Sequence, residues 1–117
     1  MLKKVNTVTY ITGKGTINFE DPIVFMEGDT KALIQLRGEL SNTIKATLLV
    51  KQPLKGEVIP VTGVIVPYKG ISREFTVPTK VVGKYQAQLL LTSAGDVNKS
   101  MLFEYEVLAS LDGGINE

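Results

Sequence analysis

Acidic side chains are the groups in this sequence whose spacing comes closest to a catalytic or metal-binding pattern. Glu104 and Glu106 stand two residues apart, and Glu27 and Asp29 flank a glycine. Paired carboxylates can act as acid and base in glycoside hydrolysis, or can bind calcium. Glu104 and Glu106 alternate with apolar residues, however, and would share the solvent-facing side of a strand, while the segment around Glu27 lacks the other ligands of a calcium loop. We interpret the first pair as surface residues and the second as part of a turn, and we predict no metal site.

Nucleophilic catalysis also lacks support, because the sequence contains no histidine and no cysteine. A serine therefore has no histidine to activate it, and the usual nitrogen and sulfur ligands of zinc, copper and iron are missing. The string Gly-Lys-Gly-Thr at 13–16 resembles part of a phosphate-binding loop. It lacks the upstream glycine and the following helix of such a loop, so we interpret it as a turn. We expect no catalytic residue, no cofactor and no enzymatic activity.

Binding without catalysis requires only exposed side chains, and four residues in predicted loops are the candidates. Tyr68 and Lys69 lie in a Pro-Tyr-Lys-Gly turn, and Asp96 and Asn98 lie in a polar connection between two strand patterns. A carbohydrate platform would need several exposed aromatic residues on one surface, and the sequence contains no tryptophan. We predict that these four residues are exposed loop contacts, with carbohydrate binding as an alternative to protein binding.

Length and charge limit the remaining function classes. The chain of 117 residues is about one domain long, and a hydrophobic content of 44% is sufficient for a core that needs no disulfide. Thirteen basic and twelve acidic residues give a net charge of +1, which argues against a domain that neutralises a phosphate backbone. No stretch approaches the roughly 20 consecutive apolar residues of a membrane span. We therefore expect neither nucleic acid nor a membrane as a partner.

The element predicted to organise the chain is a hairpin between Gly83 and Leu108. Apolar residues in both arms alternate with polar ones, which is typical of strands with one buried face. The connection at 93–100 is longer than a two-residue turn, and we interpret it as a hairpin loop. The residues predicted to face the core are Tyr85, Ala87, Leu89 and Leu91 in the first arm and Met101, Phe103, Tyr105 and Val107 in the second.

Further short strand patterns recur about every ten residues, separated by Gly, Pro, Asn or Asp, and this spacing predicts an antiparallel sandwich or a small barrel. Our preferred assignment is an all-β, immunoglobulin-like antiparallel β-sandwich of about seven to eight strands. It forms a single domain at 1–108, and 109–117 is a flexible C-terminal tail or the start of a linker. The main remaining patterns are Val5–Ile11, as a first strand at an edge; Ile23–Met26 and Lys31–Arg37, as a hairpin or one bent strand; Ile44–Val50; Val58–Val66, as an edge or a change of direction at Pro60 and Gly63; and Ile71–Val77.

Tyr85 has a position that is characteristic of one sandwich class. In immunoglobulin-like domains, a tyrosine near the start of the penultimate strand, two residues before a buried position, places its hydroxyl against a nearby loop. Tyr85 precedes Ala87 by two residues. An ordinary half-buried strand tyrosine would give the same pattern, so both interpretations remain open at this point.

Four segments share their pattern with a known family: Phe25–Thr30, Lys51–Gly56, Phe75–Ala87 and Phe103–Val107. Together they resemble the N-terminal domain of phage baseplate upper proteins, which occur in the tails and baseplates of phages of Gram-positive bacteria. The resemblance covers roughly Ile23 to Val107. It implies an immunoglobulin-like sandwich that attaches a larger fibre or receptor-binding assembly to the virion, often as part of a multimer, and it implies no catalytic residues.

The functional expectation is therefore a non-catalytic structural or interaction module of a bacteriophage virion, in the baseplate, tail or fibre attachment. Such a protein would be made in the host cytoplasm, form a homo-oligomer and contact other virion proteins. Strand addition at Val58–Val66 or Val5–Ile11 would be one way to make these contacts. The alternatives are a carbohydrate-binding module and a small inhibitor protein from a mobile element.

Overall fold

The computed structural model describes residues 4–11, 16–18, 22–37, 43–54, 56–67 and 71–111, and in these ranges the chain forms strands and no helix. The predicted all-β class is confirmed. The described part contains eleven strands: β1 (Lys4–Ile11), β2 (Thr16–Asn18), β3 (Ile23–Met26), β4 (Ala32–Arg37), β5 (Lys45–Lys51), β6 (Val58–Thr62), β7 (Val64–Pro67), β8 (Ile71–Thr76), β9 (Gly83–Ser93), β10 (Asp96–Lys99) and β11 (Phe103–Leu108).

The strands form two sheets. Sheet A has the order β2-β1-β4-β8-β7, and sheet B has the order β3-β11-β9-β5-β6, with β10 also paired to β9. Both sheets are mixed, because β1 runs parallel to β4 and β3 runs parallel to β11. The purely antiparallel pairing predicted from the sequence is therefore wrong. Each parallel pair joins strands that are not consecutive in the chain. Alternation within single strands does not reveal such pairings.

Buried side chains from the two sheets form one common core. Ile34 and Phe75 of sheet A and Leu48 and Leu89 of sheet B belong to the same hydrophobic cluster. They also line an internal cavity of only about 10 Å³, which holds at most about one water molecule. The two sheets thus enclose a closely packed interior, an arrangement compatible with a β-sandwich.

The segment from Ile23 to Arg37 is neither a hairpin nor a single bent strand, because β3 lies in sheet B and β4 in sheet A. The backbone N–H groups of the turn between them bond to segments distant in sequence. Glu27 N donates to Leu108 O at 2.8 Å, and Gly28 N donates to Thr79 O at 3.1 Å. Gly28 has a φ of 87°, which a residue without Cβ adopts readily. These bonds hold the turn as a crossing between the sheets.

The run Val58–Val66 was predicted to lie at an edge or to change direction, and both predictions are confirmed. The chain leaves sheet B after β6 and enters sheet A with β7, and each of these strands is the last of its sheet. The change occurs at Gly63, whose N–H donates to Ala46 O at 2.9 Å. A glycine is required there by space, since a Cβ would lie 2.8 Å from Cε2 of Phe75.

The first strand is only partly an edge. β1 lies between β2 and β4 in sheet A, but β2 pairs only with Thr9–Ile11. The described residues also contain more strands than the seven or eight expected. The short strand β10 and the division of Val58–Val66 contribute to the difference.

The connection between the two arms of the central hairpin was predicted to be a loop, and this is wrong. It contains β10 and a two-residue turn at Ala94 and Gly95, with φ values of 48° and 88°. Two successive positive φ values are typical of the tight turns that match the twist of a hairpin. The hairpin therefore continues through the predicted loop.

A β-bulge interrupts this hairpin where β10 ends and β11 begins. Lys99 pairs with Leu90 and Phe103 pairs with Ala87, so one strand advances by four residues while β9 advances by three. The extra residue lies in the pair Met101 and Leu102, which are 53% and 57% exposed. Met101 was predicted to face the core; the bulge instead leaves both side chains in solvent.

Candidate functional site

The four predicted loop contacts do not form one site. Tyr68 and Lys69 lie outside the described residues. Asp96 and Asn98 are exposed, but they lie on β10 and not in a loop. Because side chains alternate along a strand, they share one side of β10, and Val97 between them points to the other. The structure brings no second aromatic or charged group to Asp96 or Asn98 among the contacts it describes.

Tyr85 makes hydrogen bonds with the connection between β8 and β9. Its hydroxyl donates to Val81 O at 2.7 Å and accepts from Val81 N at 3.1 Å. Its ring stacks on Tyr105, with centroids 4.6 Å apart and an interplanar angle of 11°. The Tyr105 hydroxyl donates to Pro78 O at 2.8 Å, and Phe25 meets the Tyr105 ring edge-on. The two phenols thus fasten one connecting segment to the core.

Burial changes the acidity of both phenols. It raises the pKa of Tyr105 far above the usual value, and the neighbouring Tyr85 raises it further. Burial also raises the pKa of Tyr85, while the hydrogen bond from Val81 lowers it. Both groups are therefore neutral hydrogen-bond donors in the folded protein at neutral pH, which suits a structural role.

Stability is expected to decrease as the pH rises above about 10, the pKa of a tyrosine in an unfolded chain. Because the pKa values of Tyr85 and Tyr105 are raised in the folded state, the two phenols contribute fully to the free energy of unfolding below that pH. Above it, the unfolded chain releases protons that the folded chain retains, and this contribution is lost. The free energy of unfolding should fall by up to about 1.4 kcal/mol per pH unit for each tyrosine. Urea unfolding between about pH 8 and 11 measures it. Tyr105→Phe should show a shallower slope, and equal slopes for the two proteins would contradict this explanation.

The paired acids have the roles that the sequence indicated. Asp29 Oδ2 accepts from Met26 N at 2.9 Å, and Glu27 Oε1 accepts from Ser110 N at 3.4 Å, so both carboxylates bind backbone at a turn. Glu104 is exposed and Glu106 half-buried, on the side of β11 opposite the core residues. Among the described residues, no three His, Cys, Asp or Glu side chains form a group that could hold a metal ion.

Arg73 is a buried charge that the sequence did not reveal. Its side chain is only 1% exposed. Its Nη2 donates to Ile44 O at 2.8 Å, across 29 residues of sequence. Burial lowers the pKa of its guanidinium. We interpret Arg73 as a structural tie between β8 and the start of β5.

The surface with the most distinctive composition is the outer face of sheet B. We use this name for the side of sheet B that points away from the core. Its middle is a row that crosses the strands, and we call it the central row. Leu49 pairs with Gln88 on one side and with Pro60 on the other. Met101 and Leu102 oppose Gln88 through the bulge. The central row therefore consists of Met101, Leu102, Gln88, Leu49 and Pro60.

Charged residues lie to either side of the central row and not within it. On one side, Glu104 of β11 and Lys51 of β5 are the cross-strand neighbours of Gln86 on β9. On the other side Lys99 pairs with Leu90. The centre of this face is thus apolar or amide, with charges at its margins, as in many protein contact surfaces.

Two shallow grooves mark the same face. One, of about 140 Å³, is lined by Leu49, Val58 and Leu102 together with Lys51, Gln86, Ala87 and Gln88. The other, of about 290 Å³, lies near the β3 edge, with Val24, Lys84 and Glu106 among its lining residues. Val58 and Leu102 are each more than half exposed. The apolar side chains on this face therefore remain accessible.

Sequence reasoning missed this surface. The available signal was the presence of Leu49 and Leu90 at outward positions of alternating strands, where polar residues are usual when one side of a sheet faces water. The bulge that exposes Met101 and Leu102 had no signal in the pattern.

Comparisons with known proteins add no relatives: no family model matches this sequence, and no curated protein is detectably similar to it. Within the described ranges, the chain forms no helix that could serve as a membrane span.

Proposed function

We propose that this protein is a non-catalytic interaction module with an immunoglobulin-like fold, and that it serves in a bacteriophage virion through protein–protein contacts made by the outer face of sheet B. The observation that carries the proposal is the central row, an uncharged strip on the solvent side of a sheet whose other side already contributes the core. An accessible apolar strip with a charged margin is typical of a surface that binds another protein.

The immunoglobulin-like assignment is supported by the order of the strands. Strands β4, β8 and β7 correspond in order to the B, E and D strands of that fold, and β5, β9 and β11 correspond to C, F and G. Sheet A then contains B, E and D, and sheet B contains C, F and G. Tyr85 lies near the start of the F equivalent, and its hydroxyl bonds back to Val81, which is the tyrosine-corner arrangement.

The phage setting is supported by the resemblance of residues 23–107 to the N-terminal domain of baseplate upper proteins. In that setting the protein is made in the host cytoplasm and ends in the virion, in contact with other virion proteins. An attachment module needs a rigid body with an accessible face. The closely packed core and the outer face of sheet B meet both requirements.

Co-purification with phage particles tests this proposal. Particles from a strain that carries the gene should contain the chain in a fixed ratio to the tail proteins, as measured by quantitative mass spectrometry. Leu102→Lys, which places a charge within the central row, should reduce its incorporation at least tenfold. Leu54→Lys is the matched control, because Leu54 is 83% exposed in the turn after β5. Particles without the chain, or equal incorporation of both variants, would contradict the proposal.

A further inference from the structure

We propose that the partner of the outer face of sheet B is a second copy of this chain, in a two-fold symmetric dimer with the two faces in contact. The inference rests on the proposed function, because it names the partner of the surface that carries that function. It depends on the positions of apolar and charged residues relative to the central row.

A two-fold axis along the central row brings apolar residues of the two subunits into contact. If the two-fold axis runs along this row, across the strands, each residue in the row faces its own copy. Leu49 then meets Leu49 of the partner subunit, and Leu102 meets Leu102 of the partner subunit. These side chains are partly or largely accessible in one chain and would be removed from water in the pair, which is favourable in proportion to the apolar area buried.

The same rotation pairs opposite charges. Gln88 lies in the central row, with Gln86 and Leu90 two residues to either side of it on β9. Glu104 is the neighbour of Gln86, and Lys99 is the neighbour of Leu90. Rotation about the row exchanges its two sides, so Glu104 faces Lys99 of the partner subunit. The reciprocal contact forms a second ion pair by symmetry.

Another orientation of the axis is less favourable. A two-fold axis running along β9 would place Lys84 opposite Lys84 of the partner subunit, since Lys84 is on that strand and points outward. Like charges held face to face are destabilising. The axis across the strands instead brings Lys84 opposite Thr92 of the partner subunit, because these positions are equally far from Gln88.

The edge of sheet B is a poor place for the same partner. Gln52 N donates to Glu57 O and Gly63 N donates to Ala46 O, so the odd-numbered residues of β6 use their backbone groups toward β5. The even-numbered residues present theirs to the free edge. Pro60 is one of them and has no N–H to donate, which interrupts any added strand.

The size of the face fits a reversible dimer. With strands about 4.8 Å apart and rows about 6.8 Å apart, the face measures roughly 20 Å by 27 Å, or about 500 Å² in projection. Specific interfaces bury about 800 Å² of accessible surface per partner at standard size. We therefore expect a dimer that dissociates on dilution and not an obligate one.

Chemical crosslinking at single cysteines tests the geometry, since the chain has no cysteine of its own. Leu49→Cys should be joined to its own copy by a short bismaleimide at protein concentrations where the dimer forms. Thr76→Cys, at an exposed position of sheet A, is the control and should remain uncrosslinked. Crosslinking confined to mixtures of Leu49→Cys with Leu102→Cys would overturn the proposed axis, and equal crosslinking of the Leu49 and Thr76 variants would overturn the interface.

A charge exchange tests the partner contact. Glu104→Lys and Lys99→Glu should each weaken dimerisation on the order of tenfold or more, because each opposes like charges twice across the two-fold axis. The double variant restores both pairs and should dimerise like the wild type, as measured by sedimentation equilibrium. A wild type that remains monomeric, or a double variant no better than the single ones, would overturn the inference.

A monomeric chain that still requires Leu102 for incorporation into particles would leave the proposed function standing, whereas a dimer absent from particles would refute only the virion role.

Discussion

Replacing Tyr105 with alanine is expected to lower the free energy of unfolding by about 3–5 kcal/mol, the usual cost of removing a large aromatic side chain from a core. Tyr105 is 1% exposed. It stacks on Tyr85, meets Phe25 edge-on and donates its hydroxyl to Pro78 O. Its loss removes contacts to two other strands, β3 and β9, and to the connection between β8 and β9. Urea unfolding followed by circular dichroism measures the change.

Tyr105→Phe is the control that separates the ring from the hydroxyl. It retains both aromatic contacts and removes one neutral hydrogen bond, which contributes about 0.5–1.5 kcal/mol. The two variants should therefore differ by at least about 1.5 kcal/mol. If alanine and phenylalanine cost the same, the stacked rings do not stabilise the core in the way the structure indicates.

Replacing Gly63 with valine is expected to lower the free energy of unfolding by about 1–3 kcal/mol, the range found for overpacking a core. A Cβ at this position would lie 2.8 Å from Cε2 of Phe75 and 3.0 Å from the carbonyl oxygen of Ala46. The Phe75 ring is fully buried and the carbonyl is held by the Gly63 N–H. Neither neighbour can move without disturbing the core or the sheet.

Thr62→Val is the matched control for Gly63→Val. Thr62 is the last residue of the edge strand β6 and directly precedes Gly63. Valine is at least as favourable as threonine in a strand. Its effect should stay within about 0.5 kcal/mol, as for most surface substitutions. Equal stability of the wild type and Gly63→Val in the same urea unfolding series would show that the chain can cross between sheets without this close approach.

The sequence was a good guide where one side of a strand is buried against the core. The alternation in β9 identified Tyr85, Ala87, Leu89 and Leu91 as core residues, and all four are buried. The combination of Pro60 and Gly63 correctly indicated an edge and a change of direction. Such features are local, because a side chain's burial and a backbone's freedom are decided within a few residues.

The sequence was a poor guide where the structure depends on contacts between distant segments. Whether β3 pairs with β4 or crosses to the other sheet depends on hydrogen bonds from Glu27 and Gly28 to residues about 50 to 80 positions away. The bulge at Met101 depends on register with β9, and the burial of Arg73 depends on the carbonyl of Ile44. No local pattern encodes these partners.

The candidate site was the least predictable part. Its residues are ordinary on their own: two leucines, a methionine, a proline and a glutamine. They form a strip only because β11, β9, β5 and β6 are neighbours in this order. The search for chemistry in the sequence led to loops and acidic pairs, whereas the proposed contact surface needs accessible apolar area and charges at the margin.

The central claim is that the outer face of sheet B is covered by protein in the assembled particle. The most direct test compares maleimide labelling of Leu102→Cys and Thr76→Cys in the free, dilute chain and in purified phage particles. Both cysteines should react freely in the dilute chain, because both positions are exposed. We predict that in particles Leu102→Cys reacts at least ten times more slowly while Thr76→Cys is little changed. Equal labelling of Leu102→Cys in the free chain and in particles would contradict the claim.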